Sequence, residues 1–286
     1  MRRNNMEKKV MIVGAGLMGS GIAQIFALAG LPVVLTDRSE EDLTRGKNFI
    51  NKSIQSMLKR EKYTPTDEQR INDSILFSTN IQDGKDVDLV IEAVPERLDL
   101  KQQVFRQLDE IVQPNAILAS NTSSLSIAAI GSVTNRPEKV VGMHFFSPVP
   151  IMKLLEIITS IETSEDTLVR VREYGKLINK ETVIAQDYPG FIVNRILLPM
   201  MNEASFLVME GTDPEEVDRG LKLGANHPIG PLRLADECGL DTTLYALESL
   251  YEGFGDSKYR PCPLLKRMVE AGKLGKKSGK GFYDYN

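Results

Sequence analysis

The chain has 286 residues, of which 42% are hydrophobic and 26% charged, ordinary proportions for a globular protein large enough to divide into two cores. Its formal net charge of −4 argues against a general nucleic-acid binder, because such proteins present a basic field. Two cysteines, Cys238 and Cys262, give no disulfide framework and match no metal-ligand spacing, so a reducing, cytoplasmic setting without a metal is expected. The first nine residues are basic, but the apolar run after them is broken by glycines and reads as strand and turn. Neither a signal peptide nor a membrane span is expected there.

Residues 9–13 form a short apolar strand that runs directly into Gly14, Ala15, Gly16, Leu17, Met18 and Gly19. Helical spacing follows over 20–29, ending at Gly30, and a second strand over 33–36 delivers Asp37. Strand, GxGxxG, helix, strand and acid in this order form a dinucleotide site. Gly14 permits the tight turn, Gly16 admits the pyrophosphate to the backbone, and Gly19 lets helix and strand pack closely. Leu17 and Met18 sit inside that loop, at the amino end of the helix, whose N–H groups face anions. Asp37 is expected to accept from the ribose hydroxyls, which favours NAD. Arg38 beside it could pair with a 2′-phosphate, so NADP stays open.

Ser39 is a helix cap with Asp42 at the third helical position, and a long charged helix is expected to about Tyr63. Thr64-Pro65 breaks it, and Thr66 with Gln69 reads as a capping box for a shorter helix. The resulting hairpin concentrates Lys47, Lys52, Lys59, Arg60 and Lys62 within an acidic chain. A solvated helix face explains these cations, and so does a landing site for an anionic substrate handle. A strand over 88–91 then leads through Glu92 to Glu96, a helix spans 97–112, and a strand over 116–119 empties into Ser120, Asn121, Thr122, Ser123 and Ser124. In this polar loop one hydroxyl is expected to do chemistry, while another caps the helix starting near Ser126.

The buried strand ending in Met143-His144 places a histidine at the carboxyl edge of the sheet, where ligands of open α/β sheets collect. Glu156 lies in a second apolar run close enough in the chain to lie alongside. A carboxylate on one ring nitrogen fixes the tautomer and leaves the other nitrogen for proton transfer. Taken alone, the pair is better explained as a satisfied core histidine beside an unrelated glutamate.

A helix over 164–178 and a strand over 182–185 complete the α/β part, and 187–190 reads as a hinge. From Phe191 the strand signal vanishes: helices are expected over 191–210, from Pro214, over 232–238, over 241–251 and over 264–271. Met200, Met201 and Met209 are expected in the core, and His227 in a loop without chemistry. The tail over 275–283 is glycine-rich and basic, with terminal aromatics as anchors. The expected architecture is a Rossmann-type, mostly parallel sheet domain with a helical-hairpin insertion over 1–187, followed by an all-α domain over 188–286. The second domain is short for a self-sufficient core, which favours a homodimer built through it.

A dinucleotide site beside a histidine–glutamate pair implies hydride transfer at a carbon bearing an alcohol, with one base and no metal. Ser123 and Asn194 are the best neutral donors for the ketone oxygen. The segments GAGLMGSGIAQ, EAVPE, SNTSSLSI, GMHFFSPVPIMKLLEII, PGFIVNR, KLGANHPIGPLRLAD, GLDTT and GKKSGKGFYDY together resemble the (S)-3-hydroxyacyl-CoA dehydrogenase family end to end, particularly its short-chain bacterial members, the 3-hydroxybutyryl-CoA dehydrogenases. The resemblance implies NAD-dependent interconversion of 3-hydroxyacyl-CoA and 3-oxoacyl-CoA, with His144 the base, Glu156 its partner, and Ser123 and Asn194 on the 3-oxygen. It further implies that Asp37 holds the ribose and that Glu96 and Lys101 lie along the cofactor. Ser53 and the cation at Arg60 fall where relatives hold the CoA nucleotide, with Lys52 and Lys59 as neighbours. A related 3-hydroxyacid dehydrogenase acting without CoA, or a non-catalytic dinucleotide-binding protein, are the alternative readings.

Overall fold

The computed structural model describes residues 8–285; most of the basic amino-terminal stretch therefore lies outside the described residues. The chain divides into two compact units, 1–187 and 188–286. In the first, β1 (Val10–Val13), β2 (Val33–Thr36), β3 (Ile75–Ser78), β4 (Leu89–Glu92), β5 (Ile117–Ser120), β6 (Val140–Phe145), β7 (Leu154–Thr159) and β8 (Glu181–Gln186) form one sheet. Their spatial order is β3-β2-β1-β4-β5-β6-β7-β8. The pairing is parallel except between β6 and β7. Strands β1, β2, β4 and β5 are buried at every position, which is why they read as continuous apolar runs rather than alternating ones.

Helices α1 (Leu17–Leu28), α2 (Glu40–Lys59), α3 (Pro65–Ser74), α4 (Leu98–Ile111), α5 (Ile127–Gly131) and α6 (Glu165–Leu177) belong to this unit. Helix α1 presses Ile22 and Phe26 into the core that Ile12, Leu35 and Ile91 line from the sheet. Helix α2 stops four residues short of the expected end. Glu61 takes a left-handed backbone (φ 56°), and the Glu61 and Lys62 amides donate back to Leu58 and Met57, a Schellman-type stop. The capping box of α3 is formed by Thr64 and Asp67, not by Thr66 and Gln69. Pro65 occupies the first helical turn, so the cap must be the residue before it. Strand β3 has no counterpart in the sequence reading. It follows α3 without an intervening turn and leaves Leu76 53% exposed, so its four residues do not differ in pattern from a continuing helix.

The second unit consists of α7 (Val193–Met209), α8 (Pro214–Gly224), α9 (Pro231–Cys238), α10 (Leu240–Phe254) and α11 (Pro263–Glu270). Its core gathers Leu198, Met201, Leu240, Leu247, Leu250 and Leu265. Met209, expected among the core methionines, is 45% exposed at the end of α7, because the apolar stripe has rotated off the packed face by the last turn. The glycine-rich tail is fastened by two buried carboxylates. Asp236 accepts from the amides of Phe282 and Tyr283 and from the Tyr285 hydroxyl, and Asp218 accepts from the Tyr283 hydroxyl at 2.8 Å. Among the described residues no helix is long and apolar enough to cross a membrane.

Candidate active site

Two structural accidents of the sheet create the site. The strand order reverses between β1 and β4, opening a crevice at the carboxyl ends of the strands. Farther along, β7 turns back antiparallel to β6, and the register sets His144 opposite Glu156. Directly opposed residues of an antiparallel pair project from the same face. The histidine Nδ1 lies 2.7 Å from Glu156 Oε2, with Glu156 fully buried and His144 only 6% exposed. A carboxylate only accepts, so Nδ1 carries the proton and donates it to Glu156. The ring of Phe146 packs on the imidazole at 4.5 Å between centroids and limits its rotation.

At the switch point, a cleft of about 630 Å³ is lined by Leu17, Met18, Asp37, Arg38, Ile81 and Pro95, among others. The residues present fit a dinucleotide. A side chain at Gly14 (φ +106°) would meet the Ala93 carbonyl oxygen at 2.7 Å, one at Gly19 would fall onto the Gly14 carbonyl, and the ground over Gly16 is open to 4 Å. Gly14 and Gly19 therefore shape the turn, and Gly16 leaves room for a phosphate to approach the backbone. Asp37 accepts from the Ala15 amide at 2.6 Å and from the Arg38 amide at 2.7 Å, which fixes its carboxylate beside the glycine turn. Arg38 pairs with Asp42 at 3.4 Å, and Arg45 pairs with the same carboxylate. The side chain that could take a 2′-phosphate thus faces a carboxylate, in keeping with NAD as the cofactor.

Beneath this cleft lies a buried ionic cluster. Lys101 is 1% exposed and its ammonium lies 2.7 Å from Glu92 and 3.3 Å from Glu96. Lys101, expected along the cofactor, is joined through Glu96 to the polar loop. One oxygen of Glu96 gathers the polar loop, accepting from the Thr122 hydroxyl, from the Ser123 amide at 2.9 Å and hydroxyl at 3.3 Å, and from Ser124. Burial alone would raise the Glu96 carboxyl, but Lys101, Thr122 and the Ser123 amide outweigh it and hold it below the usual range. Burial pushes the Glu92 carboxyl up against the opposing pull of Lys101, Ser120 and the Val94 amide.

Sequence reasoning missed Glu92, whose role depends on Lys101 arriving from α4, and Asn121. The Asn121 side chain accepts from the Phe145 amide at 2.9 Å and so ties the serine loop to the strand that carries His144. Only its place in a polar loop hinted at this. Ser126 caps α5, accepting from the Ala129 amide. In the hairpin, Ser53 is half-buried and Arg60 exposed. They are about two turns apart, hence on one face, with Lys52 and Lys59 exposed beside them. Asn194 occupies the second position of α7, in the other unit, and His227 lies in the loop between α8 and α9.

Comparison with known proteins places these features in context. Residues 9–188 match the model for the NAD-binding domain of 3-hydroxyacyl-CoA dehydrogenase, and residues 190–285 the model for its C-terminal domain. The chain is 49% identical over 279 residues to a probable 3-hydroxybutyryl-CoA dehydrogenase of Bacillus subtilis, covering 97% of each protein. It is 46% identical to the 3-hydroxybutyryl-CoA dehydrogenase of Bradyrhizobium diazoefficiens, covering 97% of this chain and 95% of that one. The crystal structure of the (S)-3-hydroxybutyryl-CoA dehydrogenase of Ralstonia eutropha superposes with a TM-score of 0.94 at 48% identity, over 98% of this chain and 99% of that one.

Proposed function

The chain belongs to the 3-hydroxyacyl-CoA dehydrogenase family, and on that premise we propose that it interconverts (S)-3-hydroxyacyl-CoA and 3-oxoacyl-CoA with NAD, acting on short acyl chains such as 3-hydroxybutyryl-CoA and acetoacetyl-CoA. The observation that carries the chemistry is the 2.7 Å contact between His144 Nδ1 and buried Glu156. With Nδ1 committed to the carboxylate, proton transfer falls to Nε2. In the oxidation His144 takes the proton of the 3-hydroxyl, and Glu156 stabilises the imidazolium that results. In the reduction the same nitrogen returns the proton to the ketone oxygen. Bound nicotinamide supplies the other half of the chemistry, accepting or returning hydride at the 3-carbon.

Ser123 is the donor to the 3-oxygen from the loop that Glu96 and Asn121 hold in place. Asn194 keeps the same assignment on the strength of the family resemblance. Gly14, Gly16 and Gly19, with Leu17 and Met18, hold the pyrophosphate, and Asp37 the ribose. Ser53 and Arg60 receive the CoA nucleotide on the exposed face of the hairpin. The helical unit leaves Ile196 70% and Leu223 75% exposed, more apolar surface than a small core needs to waste, and this supports a homodimer formed through it.

The test is direct. Purified protein mixed with acetoacetyl-CoA should consume NADH, with NADPH and free acetoacetate both far poorer. Equal rates with free acetoacetate would remove CoA from the assignment, and no turnover with either substrate would overturn it.

A further inference from the structure

The loop joining β6 to β7, residues 146–153, begins at the phenylalanine packed on His144 and contains a cis Ser147–Pro148 bond. Its inner wall is Val149, 3% exposed, seated against α1. A side-chain carbon at Gly21 would lie 2.9 Å from Val149 Cβ. The loop therefore touches both halves of the proposed chemistry: the imidazole at one end, and the helix that follows the glycine turn at the other. It has little regular pairing of its own. The Ile151 and Met152 amides both turn back to the Pro148 carbonyl, which leaves the other carbonyls to be satisfied from outside.

Lys180 satisfies two of them. Its ammonium lies 2.6 Å from the Val149 carbonyl and 2.5 Å from the Met152 carbonyl, and the next residue's amide donates to the Lys153 carbonyl at 2.9 Å. The lysine is 9% exposed and enters from a rigid base. Asn179 takes a left-handed backbone (φ 57°), and the Lys180 amide donates to Gly175, closing α6 with a Schellman motif. Burying an ammonium against neutral carbonyls alone is costly. Burial is the sole cause that lowers this group, to about 8. A fold that needed only to fill this space would do better with an apolar side chain.

We propose that Lys180 is a positioning residue for the proton transfer: its ammonium pins the loop, and the loop holds Phe146 against His144 and Val149 against α1. The inference rests on the reading of His144 as the acid and base. A charge-assisted donor is roughly twice as strong as a neutral one, and here one such donor holds two carbonyls of a single short loop.

The chain has only two histidines, His144 and His227. Protein labelled with nitrogen-15 histidine thus reports the site through one imidazole and carries an internal reference in the other. Lys180→Met should shift and broaden the His144 ring signals while leaving those of His227 in place. Its kcat for acetoacetyl-CoA should fall by about tenfold or more, with KM within about threefold. Lys180→Arg, which retains a cationic donor, should recover most of that loss. A folded Lys180→Met with unmoved His144 signals and wild-type kcat would overturn the proposal. Should the methionine variant not fold, Lys180→Gln is read by the same two criteria. If wild-type protein failed to turn over acetoacetyl-CoA, the functional reading would fall, while the His144 signals would still decide the positioning role.

Discussion

Both units bury carboxylates, and they use them differently. In the helical unit Asp236 is 1% exposed and is answered by two backbone amides and a tyrosine of the tail. In the sheet unit Glu156 is fully buried and faces a histidine, while Glu92 and Glu96 share a lysine. An acid answered by backbone amides and a phenol held protonated well above neutral pH is a fastener, since none of its partners exchanges a proton there. An acid facing a titratable ring instead selects that ring's tautomer and stabilises its charged form. The lesson is that burial alone does not mark a catalytic carboxylate; the chemistry of its partner does.

If the contrast is right, substitutions that keep shape but remove charge should separate the two uses. Glu156→Gln should lower kcat by about ten- to a hundredfold with a small change in melting temperature, as measured by turnover and thermal unfolding on one preparation. A stability loss without a kinetic one would make Glu156 a fastener too. Asp236→Asn should do the reverse. It places an amide where an acceptor is needed, costing about 1–3 kcal/mol of stability, with kcat per folded molecule unchanged. A kinetic defect there would blur the distinction.

A smaller effect concerns Lys180, a buried cation that makes no ion pair among the described residues. Its folded-state value of about 8 lies below the ordinary lysine value of 10.5, so between these limits the unfolded chain binds more protons than the folded one. Stability then rises with pH through that window. Wild type should gain on Lys180→Met from about pH 8 to 10.5 in thermal unfolding followed against pH. A difference that stays flat would mean the ammonium is not held in a desolvated setting.

Much of this molecule is legible in its sequence. The glycine turn, Asp37 and the His144–Glu156 spacing follow from local pattern, because strand, turn and acid lie within short stretches of chain. The readings that failed did so where geometry depends on a neighbour. Strand β3 is a short edge strand whose identity comes from pairing with β2. The α3 cap lies at Thr64, two residues before the expected one, as Pro65 at the first turn requires. The pairing of Lys101 with Glu92 becomes visible only when α4 is laid beside β4. Asn121 and Lys180 act on backbone groups distant in sequence, and nothing in composition or spacing identifies such partners.

The central claim is that His144 carries the proton. The most direct measurement pairs acetoacetyl-CoA turnover with calorimetric NADH binding for His144→Ala. The account predicts a kcat lower by at least about a hundredfold with NADH affinity within about threefold of wild type. A variant that binds NADH normally and turns over near the wild-type rate would contradict it.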